Sequence, residues 1–62
     1  MNAAKEIREK LGKTQREVAR DIDATERSIA RIEAGEISSG RVAIDLARYY
    51  GVSTDALLGR KD

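Results

Sequence analysis

Two helix-capping signals and a glycine stop crowd into the stretch from Thr14 to Gly35, TQREVARDIDATERSIARIEAG. That spacing leaves room for two short helices joined by a tight turn and for little else. Thr14, with Glu17 three residues on, has the capping-box arrangement. In it the threonine hydroxyl and the glutamate carboxylate each satisfy a free backbone N–H at a helix start. Val18, Ala19 and Ile22 give the helix that follows a short apolar stripe. The chain then turns through Asp23-Ala24, and Thr25 is a good N-cap for a second helix. Gly35 supplies the left-handed residue that commonly ends such a helix.

At about 100° per residue, Ile29 and Ile32 define one side of the second helix. Arg27, Ala30, Arg31 and Ala34 define the other. Most arginine-rich faces are simply solvated. Here two alanines leave room for close approach, and two arginines can reach whatever approaches. A DNA major groove admits a helix of this kind, and arginine bonds in forked fashion to guanine O6 and N7. The helix-turn-helix context favours that reading over a merely charged surface.

With 62 residues there is room for one small domain, residues 1–62. A chain this short buries only about 60% of its unfolded surface. It has no Cys and no His, which excludes disulfides and the usual zinc sets, so stability must come from helix packing, helped by self-association where that occurs. Abundant Ala, Arg, Glu, Ile and Leu, with no Pro, Phe or Trp, favour an all-α fold over a sheet. The apolar runs are too short for a membrane span or a signal-peptide core, so a soluble, cytoplasmic protein is expected. The net charge is only +1, from 12 basic and 11 acidic residues. That balance does not itself point to nucleic acid, and the distribution matters more. Lys13, Arg16, Arg20, Arg27 and Arg31 fall in or beside the central stretch, whereas the acids are spread over the chain. Asp23 and Glu26 do lie close to the expected contact surface and weigh against very tight binding.

In chain order, a first helix is expected over residues 3–11, with Asn2 as its cap. Ala4, Ile7 and Leu11 would form its buried face, and Gly12 would end it. Glu6 and Lys10 stand at i, i+4 in the better order. Helix two covers Gln15 to Asp21 or Ile22, with Arg16 and Arg20 projecting away from its apolar stripe. Gln15 sits at its N-terminal end, where backbone N–H groups favour an anion. Helix three covers Glu26 to Ala34. Glu33 falls on its Ile29/Ile32 side, where a carboxylate needs a partner, and Arg8, at the margin of the first helix's inner face, is the candidate. A loop from Glu36 to Ser38 or Ser39 leads into helix four, residues 40–50, with Ser38 or Ser39 as its cap. Ala43, Leu46, Ala47 and Tyr50 form the core stripe of that helix, and Gly51 stops it. Ser53 caps a last helix, Thr54 to Leu58, whose Leu57 reaches the core. Gly59 ends it, and Arg60-Lys61-Asp62 reads as a frayed tail.

The series Arg8, Thr14-Gln15, Val18-Ala19, Ile29, Ile32-Glu33, Gly35, Leu46-Ala47, Gly51-Val52-Ser53 and Leu57-Leu58 resembles the Cro/phage-repressor (XRE-type) helix-turn-helix family over nearly the whole chain. The resemblance implies a compact five-helix bundle of the lambda-repressor type, with helices two and three as the DNA-binding unit. It implies that Gln15 contacts a phosphate and braces the recognition helix. It also implies that Thr25, Glu26, Arg27, Ser28 and Arg31 meet DNA, and that Arg8 pairs with Glu33. The chain departs from the family pattern in three places. Asp23 stands where the turn usually carries glycine, though aspartate tolerates the left-handed region better than most residues. Ala34 stands where asparagine is common, and the loop after Gly35 lacks the frequent proline and is one residue short.

The expected function is therefore sequence-specific binding of duplex DNA by a transcriptional regulator, read as a repressor that blocks polymerase access. Such a protein is nucleoid-associated when bound. Arg27 and Arg31 are the candidates for base readout, with Ser28 and Ala30 secondary, Ala30 through a thymine methyl. Glu26 either accepts from a cytosine amino group or orients Arg27. Lys13, Gln15, Arg16, Thr25 and Arg41 would position the domain on phosphates. One domain reads only about four to six base pairs, so a homodimer on a palindromic operator is the expected working form. Tyr49, Val52 and Leu58 are candidate dimer residues, with extra core packing as the alternative. The rival reading is a protein-binding antitoxin or anti-regulator subunit built on the same bundle. An enzyme is not expected, because the chain has no His, no Cys and no phosphate-cradling glycine loop and is too short to enclose a pocket. No cofactor, metal or small-molecule ligand is expected.

Overall fold

Each capping signal of the central stretch becomes a helix start in the computed structural model, which describes residues 2–36 and 40–59. Among these residues five helices follow one another: α1 (Ala4–Lys10), α2 (Gln15–Asp21), α3 (Glu26–Glu33), α4 (Arg41–Tyr50) and α5 (Thr54–Leu58). Among the described residues there is no strand. The Thr14 hydroxyl accepts from the Glu17 N–H at 3.0 Å, and the Glu17 carboxylate accepts from the Thr14 N–H at 2.9 Å. The Thr25 hydroxyl accepts from the Ser28 N–H at 3.1 Å, and the Ser53 hydroxyl from the Ala56 N–H at 3.0 Å. Three of the five helices thus begin where a short polar side chain replaces a missing backbone partner.

The apolar stripes meet in one cluster to which every helix contributes: Ala4; Val18 and Ala19; Ile29 and Ile32; Ala43, Leu46 and Ala47; and Leu57. Ile29, Ile32, Leu46, Leu57 and Val18 are completely excluded from solvent. Each side chain of this size contributes roughly 2 kcal/mol by leaving water. The Ala3 N–H donates to the Leu57 carbonyl at 2.8 Å, which closes the start of the chain against α5.

The structure corrects several expectations. Leu11 is 52% exposed rather than buried. The helical spacing places it on the inner face, but at that end of α1 the inward direction is taken by Arg8, whose side chain is only 12% exposed. The N-cap of α1 is Ala3, not Asn2. Asn2 still satisfies the helix start, since its Oδ1 accepts from the Ala4 N–H at 3.1 Å while its Nδ2 donates to the Ile32 carbonyl at 2.8 Å. α4 begins one residue later than expected, with Gly40 at the cap and no side-chain hydrogen bond there. Gly40 has φ +100° and ψ 179°, a conformation essentially open to glycine alone. The expected Ser38 or Ser39 cap and the tail from Arg60 lie outside the described residues. Tyr50, expected in the core, is half-buried at its edge.

Candidate nucleic-acid interface

Full burial of Ile29 and Ile32 fixes the rotation of α3, and so decides which of its residues face outward. Glu26, Arg27 and Arg31 are exposed, and Ser28 and Ala30 are half-exposed. Arg27 has no hydrogen bond or ion pair among the described residues. Arg31 makes one loose contact, Nε to Glu36 Oε1 at 3.5 Å, with both side chains about half in water. An exposed pair of this kind is worth little and is readily exchanged for another acceptor. The Thr25 hydroxyl, besides capping α3, donates to the Ser28 hydroxyl at 2.9 Å. The first turn of α3 is thereby stiffened where it would approach a ligand.

The inner end of α3 is held by a network around Glu33, whose side chain is 5% exposed. Its two carboxylate oxygens accept from Arg8 Nε at 2.7 Å and Arg8 Nη2 at 3.1 Å, and Oε1 also accepts from Gln15 Nε2 at 3.1 Å. Arg8 Nη1 donates in addition to the Lys13 carbonyl at 2.9 Å. One carboxylate thus joins α1, the link into α2, the first residue of α2 and the last residue of α3. Burial pushes the Glu33 carboxyl up, but the bonds from Arg8 and Gln15 pull harder and leave it below its ordinary value. The same bond raises the Arg8 guanidinium further above its already high range. The Tyr50 hydroxyl, buried and without a hydrogen-bond partner among the described residues, is pushed up to about 12 by burial and by the nearby Glu33 charge.

The five residues expected on phosphates are not equivalent. Arg16 is exposed and has no partner among the described residues. Gln15 faces Glu33 through its amide nitrogen. Thr25 is the cap of α3. Lys13 is drawn across α2, its Nζ 3.2 Å from Asp21 Oδ2 and 5.9 Å from the centre of the Tyr49 ring. The Tyr49 hydroxyl donates to the same Asp21 oxygen. That bond, with Lys13, holds the Asp21 carboxyl below its ordinary value, and the Tyr49 and Asp21 contacts raise Lys13. Arg41 is engaged twice, with Nη1 on Asp45 Oδ2 at 2.7 Å and Nη2 on the Asp23 carbonyl at 3.1 Å.

Asp21 and Asp45, which take up these two cations, were not among the residues singled out in the sequence. The i, i+4 spacing of Arg41 and Asp45 was a visible signal. Nothing local linked Asp21 to Tyr49. Tyr49, Val52 and Leu58, considered for a dimer contact, pack as partly buried residues against the core. The large apolar side chains that the described residues leave exposed are Leu11 and Ile44. No described helix is long and apolar enough to cross a membrane. Among the described residues no group of three His, Cys, Asp or Glu could hold a metal.

A family model described as helix-turn-helix matches residues 5–57. No curated protein and no solved structure matches the chain.

Proposed function

This chain belongs to the XRE-type helix-turn-helix family of DNA-binding transcription regulators, and on that premise we propose that it binds duplex DNA sequence-specifically as a repressor, with α3 in the major groove. The observation that carries this reading is the outward face of α3. Among the described residues Arg27 is exposed and unpaired and Arg31 is held only by a loose contact with Glu36, and the helix behind them is locked by Ile29, Ile32 and the bonds to Glu33. A guanidinium with no bond of its own to break, carried on a helix already fixed in place, can meet guanine O6 and N7 in forked fashion, and only its side-chain rotamers remain to be ordered.

Arg27 and Arg31 read bases. Ser28 and Ala30 add contacts at the same face, and Glu26 takes a cytosine amino group or orients Arg27. Arg16 binds phosphate, joined by Gln15 and Thr25 at the helix starts and by Lys13 where it leaves Asp21. Because one such unit spans a short stretch of groove, two copies on a palindromic operator form the working complex.

Selection of preferred duplexes from a random pool, followed by a salt titration of the best site, tests the proposal. The expected result is a recovered half-site with an inverted repeat and a steep fall of affinity with salt. No enriched sequence together with a shallow salt slope on random duplex would replace it with the protein-binding reading, for which the near-balanced charge speaks.

A further inference from the structure

The turn between α2 and α3 contains Asp23 at φ +55°, the only residue other than glycine with positive φ among the described residues. An L-residue with a side chain adopts that conformation against a steric cost, and aspartate less unwillingly than most. Such a residue persists when something around it fixes the local backbone. Here the Asp23 carbonyl accepts from Arg41 Nη2 at 3.1 Å, and the same guanidinium is oriented by Asp45 one turn along α4, at 2.7 Å. Asp45, Arg41 and the turn therefore form a short relay from α4 into the turn. The planar fork of arginine suits it, because one edge holds the carboxylate while another points at the carbonyl. Two residues before the turn, Tyr49 at the far end of α4 bonds Asp21. α4 thus grips the end of α2 and the turn at two points, with an open groove of about 620 Å³ between them.

We propose that Arg41 is a positioning residue that holds the Asp23 turn in its left-handed conformation and thereby sets the angle at which α3 meets DNA. Its consequence for DNA rests on the function proposed above, whereas its effect on the turn does not. This role differs from a phosphate contact in a way that experiment can read. A phosphate contact needs charge, which lysine also carries. The relay needs one planar group that reaches a carboxylate and a carbonyl along two separate edges, and the ammonium of lysine, though it has three donors, is not a fork of that shape.

The test uses the whole chain with Arg41→Ala, Arg41→Lys, Asp23→Gly and the Arg41→Ala/Asp23→Gly double variant, each checked for helical content. Binding to the selected duplex is measured against salt. The exchange rate of the Ala24 amide, which donates to the Ala19 carbonyl at 2.8 Å across the turn, is measured without DNA. Both Arg41 variants are expected to weaken binding by about three- to tenfold with an unchanged salt slope, and to speed Ala24 exchange by a comparable factor. In the Asp23→Gly background, where glycine adopts the turn at no steric cost, Arg41→Ala is expected to change neither quantity. Wild-type binding by Arg41→Lys, with a slope lowered by about one phosphate in Arg41→Ala, would make Arg41 a phosphate contact and overturn the proposal. Unchanged Ala24 exchange in Arg41→Ala would overturn it equally. Failure of the wild-type chain to prefer any duplex would instead remove the proposed function, and the amide exchange would still decide what Arg41 does to the turn.

Discussion

Arg16 and Arg27 are both exposed arginines without a partner among the described residues, yet they are expected to behave differently because they lie on different helices. Arg27→Ala should cost roughly 1–3 kcal/mol on the selected site and relax preference at one base position, read by repeating the selection with the variant. Arg16→Ala should weaken all duplexes alike and reduce the salt slope by about one, read by titrating cognate and random DNA in parallel. A change of selected bases in Arg16→Ala would reverse the division of labour. At this scale the sequence was legible where periodicity alone decides direction. The outward positions of Arg27 and Arg31 follow from Ile29 and Ile32 facing in. It was less legible where a side chain is long. Lys13 and Arg41 have the reach and charge for phosphate, but each finds an aspartate on its own protein. Asp21, the partner of Lys13, lies eight residues on, where it also accepts from the Tyr49 hydroxyl, so no i, i+4 spacing marks the pair.

Helix starts were readable because a cap and its N–H lie within four residues, so the whole interaction is written in one short window. α4 shows the limit. The chain enters that helix through Gly40, in a conformation essentially open to glycine alone, a start that no side-chain cap marks. Leu11 shows another limit, since a stripe drawn on one helix does not reveal that Arg8 has already taken the inward direction. The join between elements rests on Glu33, and Arg8→Ala should therefore cost about 3 kcal/mol or more by leaving a buried carboxylate with Gln15 alone. Urea denaturation followed by helical circular dichroism measures this. Replacing both Arg8 and Glu33 by methionine should recover most of the loss, because an apolar pair of similar volume needs no counter-charge. If Arg8→Ala shifts the midpoint no more than an exposed pair such as Glu6–Lys10 would, at 3.5 Å and largely in water, the join lies elsewhere.

For the molecule as a whole, the charged groups tied into the fold predict how stability follows pH. Glu33, Glu17 and Asp21 are all held below their ordinary values of 4.5, 4.5 and 3.8. For Glu33 the bonds from Arg8 and Gln15 outweigh burial. For Glu17 the cause is the Thr14 N–H, and for Asp21 it is the Tyr49 hydroxyl followed by Lys13. In acid the folded state therefore binds fewer protons than the unfolded chain. The stability these groups add is complete above their ordinary values and is lost as pH falls through the lower values they have when folded. Lys13 and Tyr50 are raised instead, Tyr50 to about 12 by burial, so their contribution is complete below their ordinary values of 10.5 and 10.0 and is lost only as pH climbs past them. With no histidine in the chain, no side chain titrates near neutrality unless it is strongly shifted. The melting temperature should then be flat from roughly pH 5.5 to 9 and fall below about pH 4.5. Melting followed at a series of pH values checks this, with Glu33→Gln as the second arm. That variant should lower the plateau, because Arg8 loses its counter-charge. It should also make the acid limb shallower, because the most buried of the three carboxyls no longer takes up a proton on unfolding. A wild-type melting temperature that stays level down to pH 3 would mean that the carboxylates binding the helices together are not coupled to folding.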